Sequence, residues 1–222
     1  MTEWWTYRPG DFLLFSARAY WRLFELQNAA LWPLPLAGPL LGVLLLWLAL
    51  RQPGAGRLTF AILAVLWALV GWSFVWNRYA EINWAAAYLA PLFAVQGLLL
   101  LGAAFLPTRP RPARPVSTAA IGLLLAGLAL AYPVLAPLGG RPWAAAEVFG
   151  VAPEPTAIGT LALLLLLGAP RWLLPIPILW CLLGGATLWT MGAWEAVLPL
   201  GSAAAALMGA SASAGARFSR AP

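Results

Sequence analysis

Polar and apolar positions divide this chain into long blocks rather than short alternations. Charged residues are rare, and between them lie charge-free intervals at 26–50, 58–77, 82–108, 115–140, 155–170, 172–194 and 196–216. A membrane-spanning helix needs about 20 mainly apolar residues, within a range of roughly 17–25. Six intervals meet that length. The fifth holds only 16 residues. As a helix it reaches about 24 Å at about 1.5 Å per residue, short of a hydrocarbon core of about 30 Å. It spans if Arg171 snorkels and Trp172 sits at the interface; the alternative is a re-entrant segment, which changes the parity of everything after it.

The pattern predicts an all-α fold, a polytopic transmembrane helix bundle of about seven spans. They fall near 31–50, 58–76, 84–106, 117–138, 156–169, 172–191 and 195–211. A membrane barrel is excluded, because its strands need alternating apolar and polar residues. Prolines mark the first span (Pro33, Pro35, Pro39), the third (Pro91) and the sixth (Pro175, Pro177), where each removes a backbone donor and tends to kink the helix.

Ahead of the first span, Phe12, Phe15, Ala19, Leu23 and Leu26 recur at spacings of three and four, while Arg18, Arg22 and Glu25 occupy another face. That is an amphipathic helix lying along the membrane surface, with Asp11 placed to cap it. The chain is therefore organised as an interfacial segment 1–27, a helical bundle 28–211 and a tail 212–222. No cleavable leader is expected, since no apolar core precedes a small-residue site.

Composition agrees and narrows the chemistry. Of 222 residues, 63% are hydrophobic and 9% charged, against roughly 45–50% and about 25% in soluble domains. There is no His, and all 13 basic residues are Arg. Without His there is no imidazole base and no usual zinc, copper or haem ligand. Without Lys there is no Schiff base. Cys181 stands alone in an apolar run, where it packs as a small hydrophobe. No glycine-rich nucleotide loop is present. No cofactor, metal site or nucleic-acid binding is expected; the arginines are dispersed at segment ends rather than gathered in a patch. Membrane enzyme chemistry would have only carboxylates to work with, so an enzyme is not expected.

Seven spans sort the charges. One end receives Arg8, Arg18, Arg22, Arg78 and Arg141 together with all seven carboxylates: Glu3, Asp11, Glu25, Glu81, Glu147, Glu154 and Glu195. The other receives eight arginines and no carboxylate. Arginine-rich short loops stay in the cytoplasm. The expected location is thus a bacterial inner membrane, with the N-terminus outside and the C-terminus cytoplasmic. Trp4, Trp5, Trp21, Trp32, Trp76, Trp84, Trp143 and Trp194 fall near the same outer end, as an anchoring aromatic belt does.

Two clusters at that end carry candidate chemistry. In 76–84, Asn77, Arg78, Glu81 and Asn83 lie between tryptophans, joining the second and third spans. They either bind a polar ligand or cap two helix ends and pair Arg78 with Glu81. Glu25 and Asn28 reach the same layer. The second cluster is the loop 139–160 with Glu147, Glu154 and Thr156, either half-inserted beside a broken helix or ending in Thr156 as an N-cap. Gln96 is the one long polar side chain near mid-depth, where an amide usually bonds a neighbouring helix. No ionisable group lies at the centre of any interval, which argues against carboxylate relays. Gly122, Ala126, Gly184, Gly185, Gly201, Ala205 and Gly209 offer small faces for close helix approach.

Trp4-Trp5-Thr6-Tyr7-Arg8, Arg22-Leu23-Phe24-Glu25 with Asn28, and Trp32-Pro33 resemble a bacterial family of uncharacterised membrane proteins, domain of unknown function 6064. Tyr132-Pro133, Phe149-Gly150 with Pro153 and Pro155-Thr156, and Pro170-Arg171-Trp172 with Ile176-Pro177 and Trp180 extend the resemblance over nearly the whole chain. It implies a polytopic inner-membrane protein with no established activity. The chain departs from the pattern the resemblance implies in two places. Glu154 stands where a cysteine is expected between the prolines, and no histidine lies near Gly140-Arg141, so a thiol or metal role at those positions is closed to this chain.

The functional expectation is a non-enzymatic accessory or scaffolding component of a membrane assembly. Its partners are the lipid bilayer and either other membrane subunits or further copies of itself. The alternative is a small-solute permease or channel whose outer vestibule uses Asn77, Arg78, Glu81, Asn83 and the Glu154-Pro155-Thr156 segment.

Overall fold

A computed structural model of the protein describes residues 15–52, 54–106 and 115–218. The Asp11 cap, Trp4, Trp5 and the arginines of the 108–118 loop lie outside the described residues. Among those described there is no strand. The all-α bundle follows from apolar helices that have nowhere but lipid or one another to place their side chains.

Helix α1 (Ala17–Ala30) opens on Ser16, whose Oγ accepts the Ala19 N–H at 3.2 Å. Its buried stripe is Tyr20, Leu23, Phe24 and Gln27, which shares Leu23 with the stripe expected from sequence but not Ala19 or Leu26. Leu26 is exposed. The reason is the partner: Phe24 stacks on Phe74 at 4.7 Å between centroids, and ring area outweighs a lone leucine in choosing the buried face.

Seven further helices follow among the described residues. They are α2 (Leu34–Arg51), α3 (Gly56–Ile82), α4 (Trp84–Phe105), α5 (Val116–Leu138), α6 (Pro153–Leu167), α7 (Pro175–Thr190) and α8 (Val197–Phe218). With the short turns that lead into α7 and α8, six of them are long and apolar enough to cross a membrane; α6 is the exception. This is the architecture of a multi-pass helical membrane protein. Helix α8 runs on past residue 211, where the last span was expected to end. Pro175 and Pro177 sit in the first turn of α7, where missing donors cost little, rather than kinking its middle. Pro39 and Pro91 do lie inside their helices.

The short segment resolves into the centre of the molecule. Helix α6 has 15 residues, every one buried, and is surrounded by α2, α3, α5, α7 and α8. From Leu161 to Leu167 the helix is apolar all round, and a stretch of that kind belongs in such a place. It runs from the end that holds Arg141 and Glu195 to the end where Arg171 donates to the Ala210 carbonyl at 2.7 Å. It therefore runs from one end of the bundle to the other. About 22 Å of helix suffices because the loop before it is itself buried from Ala145 to Ala152. Phe149 fixes that loop: its ring fills the space beside Gly42 and Gly159, and its carbonyl lies against Gly38 of α2. Helix α6 ends on Gly168 in the left-handed conformation, φ +62°, a conformation that favours glycine.

Candidate functional site

The connection between α3 and α4 is much tighter than its polar sequence implies. Helix α3 widens into a π-helical stretch over Gly71–Tyr79 and continues to Ile82. Only Asn83 breaks the helix, with its Oδ1 accepting the Ala85 N–H at 3.1 Å and its Nδ2 donating to the Tyr79 hydroxyl at 3.0 Å. Asn77 and Glu81 are exposed. Arg78 does not pair with Glu81. Its Nε donates to Gln27 Oε1 at 2.7 Å, and Gln27 in turn donates to Ser73 Oγ at 2.7 Å. The reason is position: Glu81 points to the exposed side of α3, whereas Gln27 is presented by α1 across the wide turn. Gln27 was the missed member of this cluster, hidden in sequence by the assumption that the stripe of α1 is apolar.

The remaining sequence candidates divide between local bonds and one deep site. Glu25 pairs with Arg22 on the outer side of α1. Asn28 donates to the carbonyls of Ala144 and Ala146, both at 2.8 Å, so it clamps the 139–152 loop rather than joining Asn77 and Glu81. Gln96 is buried and donates to the Leu173 carbonyl at 3.1 Å. Thr156 is not an N-cap, because α6 starts three residues earlier at Pro153, where a proline tolerates the missing donor. Its hydroxyl donates to the Ala152 carbonyl at 2.6 Å and accepts the Gly150 N–H at 2.8 Å. Cys181 is buried in the core.

Glu154 belongs to something larger. It is the second residue of α6 and wholly buried. A Cβ on Gly184, well inside α7, would stand 2.7 Å from Glu154 Oε1. The carboxylate is therefore within the bundle, in the first turn of α6 rather than at its centre, so the sequence reading that no ionisable group lies at the centre of an interval stands. Interval counting placed Glu154 at a boundary; the buried loop carries that boundary inward. The Tyr20 hydroxyl approaches Oε1 at 3.5 Å, long for a bond between oxygens, and the Trp180 indole and the Glu147 carboxyl lie beside it.

Arg141 completes the group. Its Nη2 donates to Glu195 Oε1 at 2.8 Å, its Nη1 stands 3.7 Å from Glu147 Oε1, and its guanidinium lies over the Trp21 ring at 3.5 Å from the centroid. One guanidinium thus faces two buried carboxyls, Glu147 from the loop and Glu195 from the α7–α8 turn, while Glu154 of α6 lies beside Glu147 without a cation of its own. Burial first, and then the neighbouring Glu154, push Glu147 well above the usual carboxylate range, against the pull of Arg141. Burial and the same two carboxylates raise the Tyr20 hydroxyl. Five buried polar atoms of this group have no hydrogen-bond partner: Tyr132 Oη, Arg141 Nη1, Glu147 Oε2, Glu154 Oε2 and Trp180 Nε1. Among the described residues, no set of three or more Cys, Asp or Glu has a geometry that could hold a metal ion.

Sequence reasoning placed Arg141, Glu147, Glu154 and Glu195 at one end of the bundle, and they do meet there. It missed their mutual contact, together with Tyr20, Tyr132 and Trp180. The available signal was scarcity: of only seven carboxylates, Glu147, Glu154 and Glu195 fall in the last two connections assigned to that end, with Arg141 the single arginine among them.

No curated protein and no solved structure shows significant similarity to this chain. A family model does match, over residues 17–215, a stretch that includes every residue of the Arg141 group. The chain belongs to the family of unknown function DUF6064.

Proposed function

We propose that this chain is a non-enzymatic integral protein of a bacterial inner membrane, acting as an accessory or scaffolding component of a larger membrane assembly. Its N-terminus is outside and its elaborated end faces the periplasm. One observation carries this reading. The polar side chains at that end mostly bind the chain's own backbone and loops: Asn28 holds Ala144 and Ala146, Arg78 holds Gln27, and Asn83 caps α4. Such bonds fix a surface in one shape, as a component presented to partner subunits requires, and leave few groups free to coordinate a passing solute. The partners are other membrane subunits or further copies of the chain. The test is purification from native membranes in mild detergent: a stable larger particle with stoichiometric partners or copies supports the reading, and a protein that runs alone removes it.

A second reading, a small-solute permease, is favoured by the unpartnered Glu147 and Glu154 oxygens inside the bundle, since intramembrane ionisable groups commonly mark solute pathways. Flux into liposomes, compared between wild type and Glu154→Gln, tests it; equal leakage from protein-free and loaded vesicles would end it.

A further inference from the structure

We propose that Glu147 and Glu154 form a buried carboxyl pair that binds one exchangeable proton, supplied as hydronium from the aqueous end of the bundle. The count of charges requires a cation there. Arg141 is hydrogen-bonded to Glu195 and stands at 3.7 Å from Glu147, so its single charge is already shared between two carboxylates. Glu154 is left with none. The groups facing the pair are Tyr20 from α1, Tyr79 from α3, Tyr132 from α5, Trp180 and Cys181 from α7, and Glu195 from the turn before α8. The packed faces of α2 and α8 supply no titratable side chain among the described residues. Among the described residues Arg141 is the one cation in that ring. Arg18 and Arg22 are on the exposed side of α1.

Two ionised carboxylates side by side in low dielectric repel strongly, and a shared proton relieves the repulsion and makes one of them a donor. The second observation is independent of the acids. The Tyr132 hydroxyl and the Trp180 indole N–H are more than nine-tenths buried and unpartnered. They lie close to the same carboxyls, and with Arg141 Nη1 they supply the donors that a proton-carrying water between the carboxyls would need. A metal ion is a poor fit, because the Arg141 guanidinium and the Trp180 N–H, which can only donate, stand beside the same carboxyls. Binding is a simple transfer: one O–H bond forms on a carboxylate, one breaks in hydronium, and water leaves.

The experiment is infrared difference spectroscopy of the full chain in lipid nanodiscs, titrated with base and repeated in deuterated water and with added sodium. At neutral pH the wild type should show a protonated-carboxyl C=O band that shifts on deuteration, disappears as pH rises and ignores sodium. Glu147→Gln and Glu154→Gln, each isosteric, should each lose the band. A wild type without the band at neutral pH, a band that survives both substitutions, or a band removed by sodium at fixed pH would each overturn the proposal. The wild-type titration decides the matter even where a variant fails to fold.

Discussion

Two polar regions share one end of this bundle and are built from the same kinds of residue, yet their surroundings give them different chemistry. At the α3–α4 turn, Asn77 and Glu81 are exposed and Arg78 is half-buried on Gln27. In the Arg141 group, Glu147, Glu154 and Glu195 are almost wholly out of solvent. In water an ion is stabilised wherever it stands; inside the bundle its stability depends on the few groups that touch it. The first region can lose a side chain and be repaired by solvent. The second cannot.

Arg141→Ala should therefore have the largest effect. It leaves Glu195 and Glu147 buried without their cation, and removing one partner of a buried pair costs about 3–5 kcal/mol. Unfolding in mixed micelles should register that loss, whereas Arg78→Ala, losing one bond to Gln27, should cost about 1 kcal/mol. Equal losses would mean that the two regions are equally wet. The pH dependence separates them too. The folded chain holds Glu147 protonated well above the usual carboxylate range, so it binds more protons than the unfolded chain in between. That contribution to stability is complete below the unfolded value of about 4.3 and is lost as pH rises through the folded value. Glu147→Gln should flatten this decline, as followed by the unfolding midpoint across a pH series.

The contrast also separates what the sequence makes legible from what it hides. The spans could be read because an absent charge is a local property: the expected 84–106 and 117–138 stand against Trp84–Phe105 and Val116–Leu138. Helix α3 overran its expected end at 76 because Asn77, Arg78 and Glu81 are polar yet form no turn; only Asn83 does. Helix α6 looked too short because thickness was assumed to be filled by helix alone, whereas a loop pinned by Phe149 supplies the rest. Which of several polar residues meet is a non-local property. Asn28 reaches Ala144 and Ala146, and Arg141 reaches Glu195, across more than fifty positions of chain in each case. Periodicity does not carry that information, so Glu154 could be nominated from sequence while Tyr20, Tyr132 and Trp180 could not.

Gly184→Val comes next in size and probes how tightly the dry region is closed. Its new carbons would meet Glu154 Oε1, with Glu154 Cγ and Cδ behind it at 3.5 Å. A surface carboxylate would swing aside, but this one is sealed among α1, α6 and α7. Overpacking of this kind costs about 1–3 kcal/mol. A neutral result in the same micelle unfolding measurement would show that Glu154 has room to move.

Asn28→Ala is expected to fall below that, near 1–2 kcal/mol for two bonds to backbone carbonyls, one of them at an exposed alanine that solvent can satisfy. Its sharper readout is local. Hydrogen exchange should quicken over 143–146, where Asn28 holds the loop, and remain unchanged at Asn83–Ala86.

Glu25→Ala sits at the bottom of the scale and tests the wet side of the comparison directly. Its carboxylate pairs with Arg22, whose side chain is 62% exposed, and the two are three residues apart on the outer face of α1. Pairs of this kind contribute about 0–1 kcal/mol and are screened by salt. The expected change in unfolding is a few tenths of a kcal/mol at low ionic strength, vanishing as salt is raised. A loss that persisted in high salt would mean that the outer face of α1 is covered in the intact protein by lipid headgroups or a partner subunit. Glu25 would then belong with the buried carboxyls rather than with Glu81.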